Sequence, residues 1–598
     1  MTTRIVALAA SWSTRVPEFL SAVVGESMTR SKVLRVGLRL CLALLFGLCC
    51  SLEPVLADDP EITTEPEITS PIEYSLRPMP TGDRTNLEIE VRFAVSDVDP
   101  FEIQLLADNY GTPNLHESIS DLRGESGTQT QRSDDGTTCK VTPQADGRVH
   151  ISYVISYDPR EMDSHAYGPH VTENNFHVAG CQWMLRIGNL AEEHEYAIEL
   201  REIPDGWEVY STLAADPAQP IQVTASFNQL IGSMLGGGSQ FSRHFDIRGR
   251  RLSVFVQDGF ELSGEEIAAA AEKIVRAQRA WLNDYDQPFY NITLLQRSNV
   301  VAGNSVPNMF VCFLRPTVEM DAVTLLCSHE MFHAWLPNKC RILRKPGDHS
   351  FKHEWFSEGF TEYFARRILL EVGLIDQAEF VRRFNRDIRD LMDNPSRLDT
   401  YAALQQRAEA GEFRSEQKKL AYIRGALIAL NWETQLREQG SEQDLQDFIR
   451  NLVTLAGKSD GEITEEAFFA FGEDYGLDIV GDFQRHMLKA EPIEVTPGAF
   501  GAEFPLRTTT IHLFHAGFDV QQSRAAQQIT GVSDGGPAFE AGLRDGMKLV
   551  SLRNSSRFSN SWFPDRPIIV TVEVDGQERE IEYLPRGEEV EAQLFEVE

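Results

Sequence analysis

Cysteine is scarce in this chain, with 8 among 598 residues, and no two of them stand in a C-x-x-C spacing. No cysteine zinc site is therefore indicated. Positive charge is also in deficit: 56 Lys and Arg face 90 Asp and Glu, for a net charge of −34. Such a balance argues against a nucleic-acid partner and against anionic membrane surfaces. There is no internal repeat. The run Leu40 to Cys50 is apolar, but it is only about half of the ~20 residues that a spanning helix needs. The triple glycine Gly236-Gly237-Gly238 lacks the Lys-Ser/Thr of a phosphate loop and reads as a flexible turn.

What is present begins with an export signal. Arg30, Lys32, Arg35 and Arg39 precede the apolar run, and Val55-Leu56-Ala57 has the small-residue pattern of a cleavage site. Residues 1–57 are read as a signal peptide, with Met28 as the alternative start, because a leader from Met1 is long. The mature protein would then be periplasmic or secreted; an uncleaved leader would leave it attached to a membrane. Five cysteines would remain (Cys139, Cys181, Cys312, Cys327 and Cys340), enough for one disulfide whose partners the spacing does not choose.

Length makes several domains the expectation, and the pattern along the chain changes three times. Residues 58–70 are acidic and proline-bearing, a solvated linker. From 71 to 222 the alternation is that of strands, as in Leu87, Ile89, Val91 and Phe93, and predicts a β-sandwich. From 223 to 495 strands give way to helices. Ser263 and Glu266 predict a capping box, Asp376 and Glu379 another helix start, and Leu420 to Gln435 a further helix. From 500 to 590 strands return, with Asp575-Gly576 as a hairpin turn. The class is multidomain α+β.

Chemistry is concentrated in His329-Glu330-Met331-Phe332-His333 and in Trp355-Phe356-Ser357-Glu358-Gly359. On a helix, predicted over 318–335, histidines four apart share a face and can grip one metal ion. Glu330 sits one step round, where it can take a proton from an activated water. Glu358 would complete a three-ligand set with the fourth position open, which is the pattern of a catalytic zinc site. Tyr422, on a later helix, offers a phenol that can stabilise an oxyanion. Cys327, Trp335 and Trp355 read as packing residues, and His349 and His353 as part of a bridging loop.

The segments SHEMFHAWLPNKCRI (328–342), EWFSEGFTEY (354–363) and YIRGAL (422–427) resemble the glycyl aminopeptidase family of zinc metallopeptidases. The resemblance implies a β N-terminal domain, a thermolysin-like catalytic domain and a C-terminal PDZ domain. It implies one zinc per chain on His329, His333 and Glu358, a general base at Glu330, a catalytic tyrosine at Tyr422, and peptide or protein substrates. Two departures stand out. Relatives usually have Lys where this chain has Arg424. They also carry a glutamate that binds the substrate's free α-amine, on a strand that here is VVAGNSVPNMFVCF (300–313) and holds no acid. Asn304 and Arg424 are the substrate-binding candidates. An endopeptidase is therefore an alternative to an aminopeptidase, and a peptide-binding scaffold with a vestigial metal site is a further one.

GGPAFEAGLRDGMKL (535–549) resembles the signature of a bacterial PDZ domain, with Gly517 and Phe518 in the loop that would hold a peptide's C-terminal carboxylate. The competing reading is a module that only packs on the catalytic domain. The sequence does not give the oligomeric state.

Overall fold

The computed structural model describes residues 66–81, 84–106, 108–109, 112–156, 168–188, 192–297, 302–553 and 564–597. The expected leader and most of the acidic linker lie outside these residues.

The first third is built of strands, as the alternation predicts. A six-stranded sheet runs 221–226, 193–200, 72–81, 84–94, 148–155, 119–124 in spatial order. Its inward residues Leu87, Ile89 and Val91, each 0% exposed, share one core with Phe176, Val178 and Trp183. Met234–Gly238 is a buried central strand of a second, four-stranded sheet, paired to Asn175–Ala179 on one side and Glu208–Ser211 on the other. This corrects the expectation of a flexible turn at Gly236–Gly238. A Cβ at Gly236 would meet the Tyr210 ring at 2.4 Å, and one at Gly237 would meet Val209 at 2.7 Å. The glycines are there because neighbouring groups lie over the strand, a close approach that leaves no room for a side chain.

The next part holds a five-stranded sheet made of β1 (Gln240–Ile247), β2 (Arg250–Gln257), β3 (Phe289–Gln296), β4 (Ala302–Val306) and β5 (Met309–Leu314). The order is β1-β2-β3-β5-β4, so β4 is an edge, antiparallel to β5 with Gly303 opposite Cys312 and Asn304 opposite Val311. The helices of this part include α1 (Gly264–Leu282), α2 (Met320–Phe332), α3 (Glu354–Ser357), α4 (Gly359–Glu371), α5 (Gln377–Asp393), α6 (Tyr401–Glu409) and α7 (Ser415–Glu438). Helix α1 forms without the expected capping box: Ser263 makes no side-chain cap bond. Asp376 does cap α5, its Oδ1 accepting from the Glu379 N–H at 2.7 Å. One apolar core joins the sheet, α1, α2, α4 and α7, with Trp335, Trp355 and Trp432 each no more than 2% exposed. The five cysteines beyond the leader are buried and unpaired; the disulfide that their number allows does not form.

The C-terminal strands Ile568–Val574 and Gln577–Tyr583 make the predicted hairpin, with φ of 53° at Asp575 and 76° at Gly576, as a two-residue turn of that hand requires. The strand pair Leu506–Phe514 and Arg586–Phe595 docks on α5: Asn385 Nδ2 donates to the Phe595 carbonyl and its Oδ1 accepts from the Phe595 N–H, both at 2.8 Å.

Candidate metal centre

Helix α2 carries His329 near its C-terminal end, and His333 follows as the residue that closes it. One turn apart, the two imidazoles share a face, their ring centroids 4.8 Å apart. The chain then loops out and returns through α3. Glu358 stands between α3 and α4 with helical dihedrals. Its Oε2 lies 3.4 Å from His329 Nε2 and 3.5 Å from His333 Nε2. All three residues are buried, and their ligand atoms fall within 4.8 Å of one another.

These distances are long for hydrogen bonds, and Glu358 Oε2 has no hydrogen-bond partner despite being buried. They match the spacing of ligands around a tetrahedral ion: metal–ligand distances of about 2.0–2.1 Å put neighbouring ligand atoms about 3.4 Å apart. Two imidazoles and one carboxylate form a donor set suited to zinc. A buried, orphaned carboxylate oxygen aimed at two imidazole nitrogens fits a bound cation and little else.

The surroundings hold the ligands in place. His333 Nδ1 bonds the Leu336 carbonyl at 2.6 Å. His329 Nδ1 bonds Glu362 Oε2 at 3.0 Å, and Glu362 Oε1 accepts from Arg366 at 2.8 and 3.1 Å. Arg366 is in turn clasped by Asp387 of α5, at 2.5 and 3.2 Å. Such outer carboxylates fix the orientation of a ligating imidazole and raise its basicity. Burial alone would lower the His329 pKa, but Glu358 and Glu362 outweigh it and push it up to about 10. A metal must displace that proton to bind. Burial would raise Glu358, yet the charges on His333 and His329 and a bond from Tyr422 bring it down.

The sequence reading missed Glu362. Its signal was visible: Glu358, Glu362 and Arg366 follow each other at one-turn spacing, so they stack along one side of α4.

Glu330 points beside this cluster, and its Oε2 is buried without a hydrogen-bond partner. The edge strand β4 forms the wall against it. A Cβ on Gly303 would meet Glu330 Oε1 at 2.8 Å, and Ser305 Oγ donates to the Glu330 carbonyl at 3.2 Å. Tyr422 stacks on His329, ring centroids 5.8 Å apart and planes 15° from parallel, and its hydroxyl bonds Glu358. That approach depends on two glycines. A Cβ on Gly425 would lie 1.8 Å from the Trp355 carbonyl oxygen, and one on Gly359 would lie 2.4 Å from the Gly425 Cα. Here α7 and the α3–α4 corner touch backbone to backbone.

The structure thus gathers His329, Glu330, His333, Glu358 and Tyr422 at one place. Arg424 is separate. It is buried, two positions past Tyr422 and so on nearly the opposite side of α7, with Nη2 donating to the Arg397 carbonyl at 2.9 Å. Asn304 sits on β4 next to Gly303 and is half-buried. Gly517 (φ 80°) and Phe518 lie in the C-terminal module, where Phe518 packs with Ile529, Leu543 and Val570. His349 and His353 take no part in the ligand cluster, as expected: His349 caps a short turn and His353 faces Glu465 at 3.5 Å.

Residues 322–428 match the model of the M61 glycyl aminopeptidase family, so the resemblance read from the motifs holds across the metal centre. Leucine aminopeptidase 2 of Candida albicans is 28% identical over 207 residues, which are 32% of this chain and 30% of that protein. The same-named protein of Vanderwaltozyma polyspora is 26% identical over 201 residues, 32% of this chain and 28% of its own. The chain therefore spans under a third of the length of these relatives. Among solved structures, an aminopeptidase N family protein from Idiomarina loihiensis superposes with a TM-score of 0.61. The alignment covers 88% of this chain and 98% of that one at 14% identity, a likeness of fold.

Proposed function

We propose that this chain, similar to the glycyl aminopeptidases across its metal centre, is an exported zinc metallopeptidase of aminopeptidase type. The observation that carries the reading is the triangle of His329 Nε2, His333 Nε2 and an otherwise unpartnered Glu358 Oε2. Zinc, when bound, would polarise the scissile carbonyl and make a water acidic enough to lose a proton near neutral pH. Glu330 supplies the base: its free Oε2 can take that proton and return it to the leaving amine. The Tyr422 hydroxyl can donate to the oxygen on which negative charge develops. Gly303 and Ser305 line the base and hold the edge strand against it. The β4 strand could present its backbone to an extended peptide, with Asn304 beside it.

Export rests on the leader pattern of residues 1–57. A PDZ role for the C-terminal module is supported by the Gly517 and Phe518 N–H groups, which donate to no acceptor among the described residues. The second reading, an endopeptidase, is favoured by one observation: β4 and β5 carry no acid to hold a substrate's α-amine.

Metal analysis and peptide hydrolysis by the purified full chain test the proposal. One zinc per chain, lost in His333→Ala, is expected. Glu330→Gln should retain zinc and lose ~10²–10⁴ in turnover. Zinc that survives His333→Ala, or normal turnover by Glu330→Gln, would overturn it.

A further inference from the structure

A carboxylate stands unclaimed one helical turn before the metal ligand Glu358. Glu354 opens α3, and the Glu358 N–H donates to the Glu354 carbonyl at 2.7 Å. Residues so spaced have Cβ atoms about 5–6 Å apart. The Glu354 side chain is half-buried, and among the described residues it has neither a hydrogen bond nor an ion pair. Burial, and then the charge of Glu358, push its pKa up to about 7, with Lys418 and Arg344 opposing.

Glu354 lines a small, partly open cleft between α3, α6 and α7. The other walls are largely apolar, with Phe351, Trp355, Leu404, Leu420 and Met487 prominent. Two cations share the lining, and each is directed at another group. Lys352 Nζ bonds Asp348 at 2.8 Å and Glu465 at 2.9 Å, and Arg424 is tied to the Arg397 carbonyl. Neither cation bonds Glu354, whose carboxylate is left without a cationic partner among the described residues. A carboxylate against apolar walls is unfavourable unless something cationic pairs with it. Apolar walls around a charged end also suit the methylene stem of a basic side chain.

We propose that Glu354 is a specificity-determining residue whose carboxylate receives a cationic group of the peptide substrate in this cleft. The inference rests on the peptidase reading, and it supplies the acid that β4 and β5 lack. The cation could be the α-ammonium or the side chain of a basic residue, and the experiment separates them. Four peptides would be compared that begin with Lys or norleucine, each with a free or an acetylated N-terminus. The full zinc-loaded chain would be assayed as wild type, Glu354→Gln and Glu354→Asp.

Loss of one charge-assisted contact should raise KM about 10–100-fold in Glu354→Gln, leave kcat little changed, and be partly rescued in Glu354→Asp. If the α-amine is the ligand, only the free-amine peptides suffer. If the side chain is the ligand, only the Lys peptides suffer. A uniform change across all four, the acetylated norleucine peptide included, would overturn the proposal. So would the absence of any change. Calorimetric binding of the same peptides to zinc-loaded Glu330→Gln, with and without Glu354→Gln, stands apart from turnover. Cation-dependent binding without hydrolysis by wild type would sink the peptidase reading and keep Glu354 as a cation site. Binding indifferent to both the cation and Glu354 would sink the site itself.

Discussion

The contact between Gly425 and the Trp355 carbonyl makes Gly425→Ala a sharp test of how the site is assembled. The added Cβ would stand 1.8 Å from that oxygen and 2.7 Å from the Gly359 Cα, where real Cβ atoms essentially never come within 3.0 Å. All the opposing atoms are backbone, so no side chain can swing aside. Helix α7 must therefore retreat by at least the difference between 1.8 and 3.0 Å, about 1.2 Å. Tyr422 is three residues upstream on the same helix and moves with it, which takes its hydroxyl off Glu358 and its ring off His329. The ligands themselves sit on α2 and at the α3–α4 corner, not on α7. Displacement of a catalytic group by about 1 Å can reduce rate ~10²-fold, while overpacking of this kind destabilises by about 1–3 kcal/mol. The expected outcome is a folded, zinc-replete protein with kcat down ~10²-fold and a modestly lower melting temperature. Because the effect is routed through Tyr422, adding Tyr422→Phe should reduce kcat little further, a non-additivity that marks shared action. Near-normal kcat in Gly425→Ala, or full additivity with Tyr422→Phe, would refute the reasoning.

Two further outcomes are expected. Glu362→Gln keeps the shape of the group that holds His329 but removes its charge, so zinc affinity in a chelator competition should fall about 10–100-fold; unchanged affinity would show that Arg366 and Asp387 hold the ring without it. Acid should weaken the packing between the sheet carrying His177 and the one carrying Phe313, because burial, with Arg297 adding, pushes the His177 pKa down to about 3. The unfolded chain takes up its proton near pH 6.5, so this stability is full above that value and is lost as pH falls towards 3; a urea midpoint that stays flat from pH 7 to 4 would contradict it.

Local signals were read well where the physics is local, the capping box expected at Ser263 and Glu266 excepted. The one-turn spacing of His329 and His333, the cap at Asp376 and the turn at Asp575-Gly576 each depend on a handful of adjacent dihedrals. Glu358 and Tyr422 were singled out by residue type and supported by the resemblance, since nothing in their neighbourhood says what they will face. The reading of Gly236–Gly238 failed for the same reason. A glycine run looks flexible in isolation, and only the strands on either side, with Tyr210 and Val209 over it, make it a buried strand.

By itself, then, the sequence determined the alternation that makes strands, the helical period that sets two imidazoles on one face, and the net negative charge. The tertiary structure decided what meets those imidazoles. The docking of α7 on the α3–α4 corner, possible only through Gly359 and Gly425, brings Tyr422 to Glu358. The stacking of α4 against α2 and α5 runs a line of charge from Asp387 through Arg366 and Glu362 to His329. It also decided that Arg424 faces away from Tyr422 and lines the cleft with Glu354. A side chain's direction follows from helical phase, but the partner it finds depends on how helices far apart in the chain bury their apolar faces against one another.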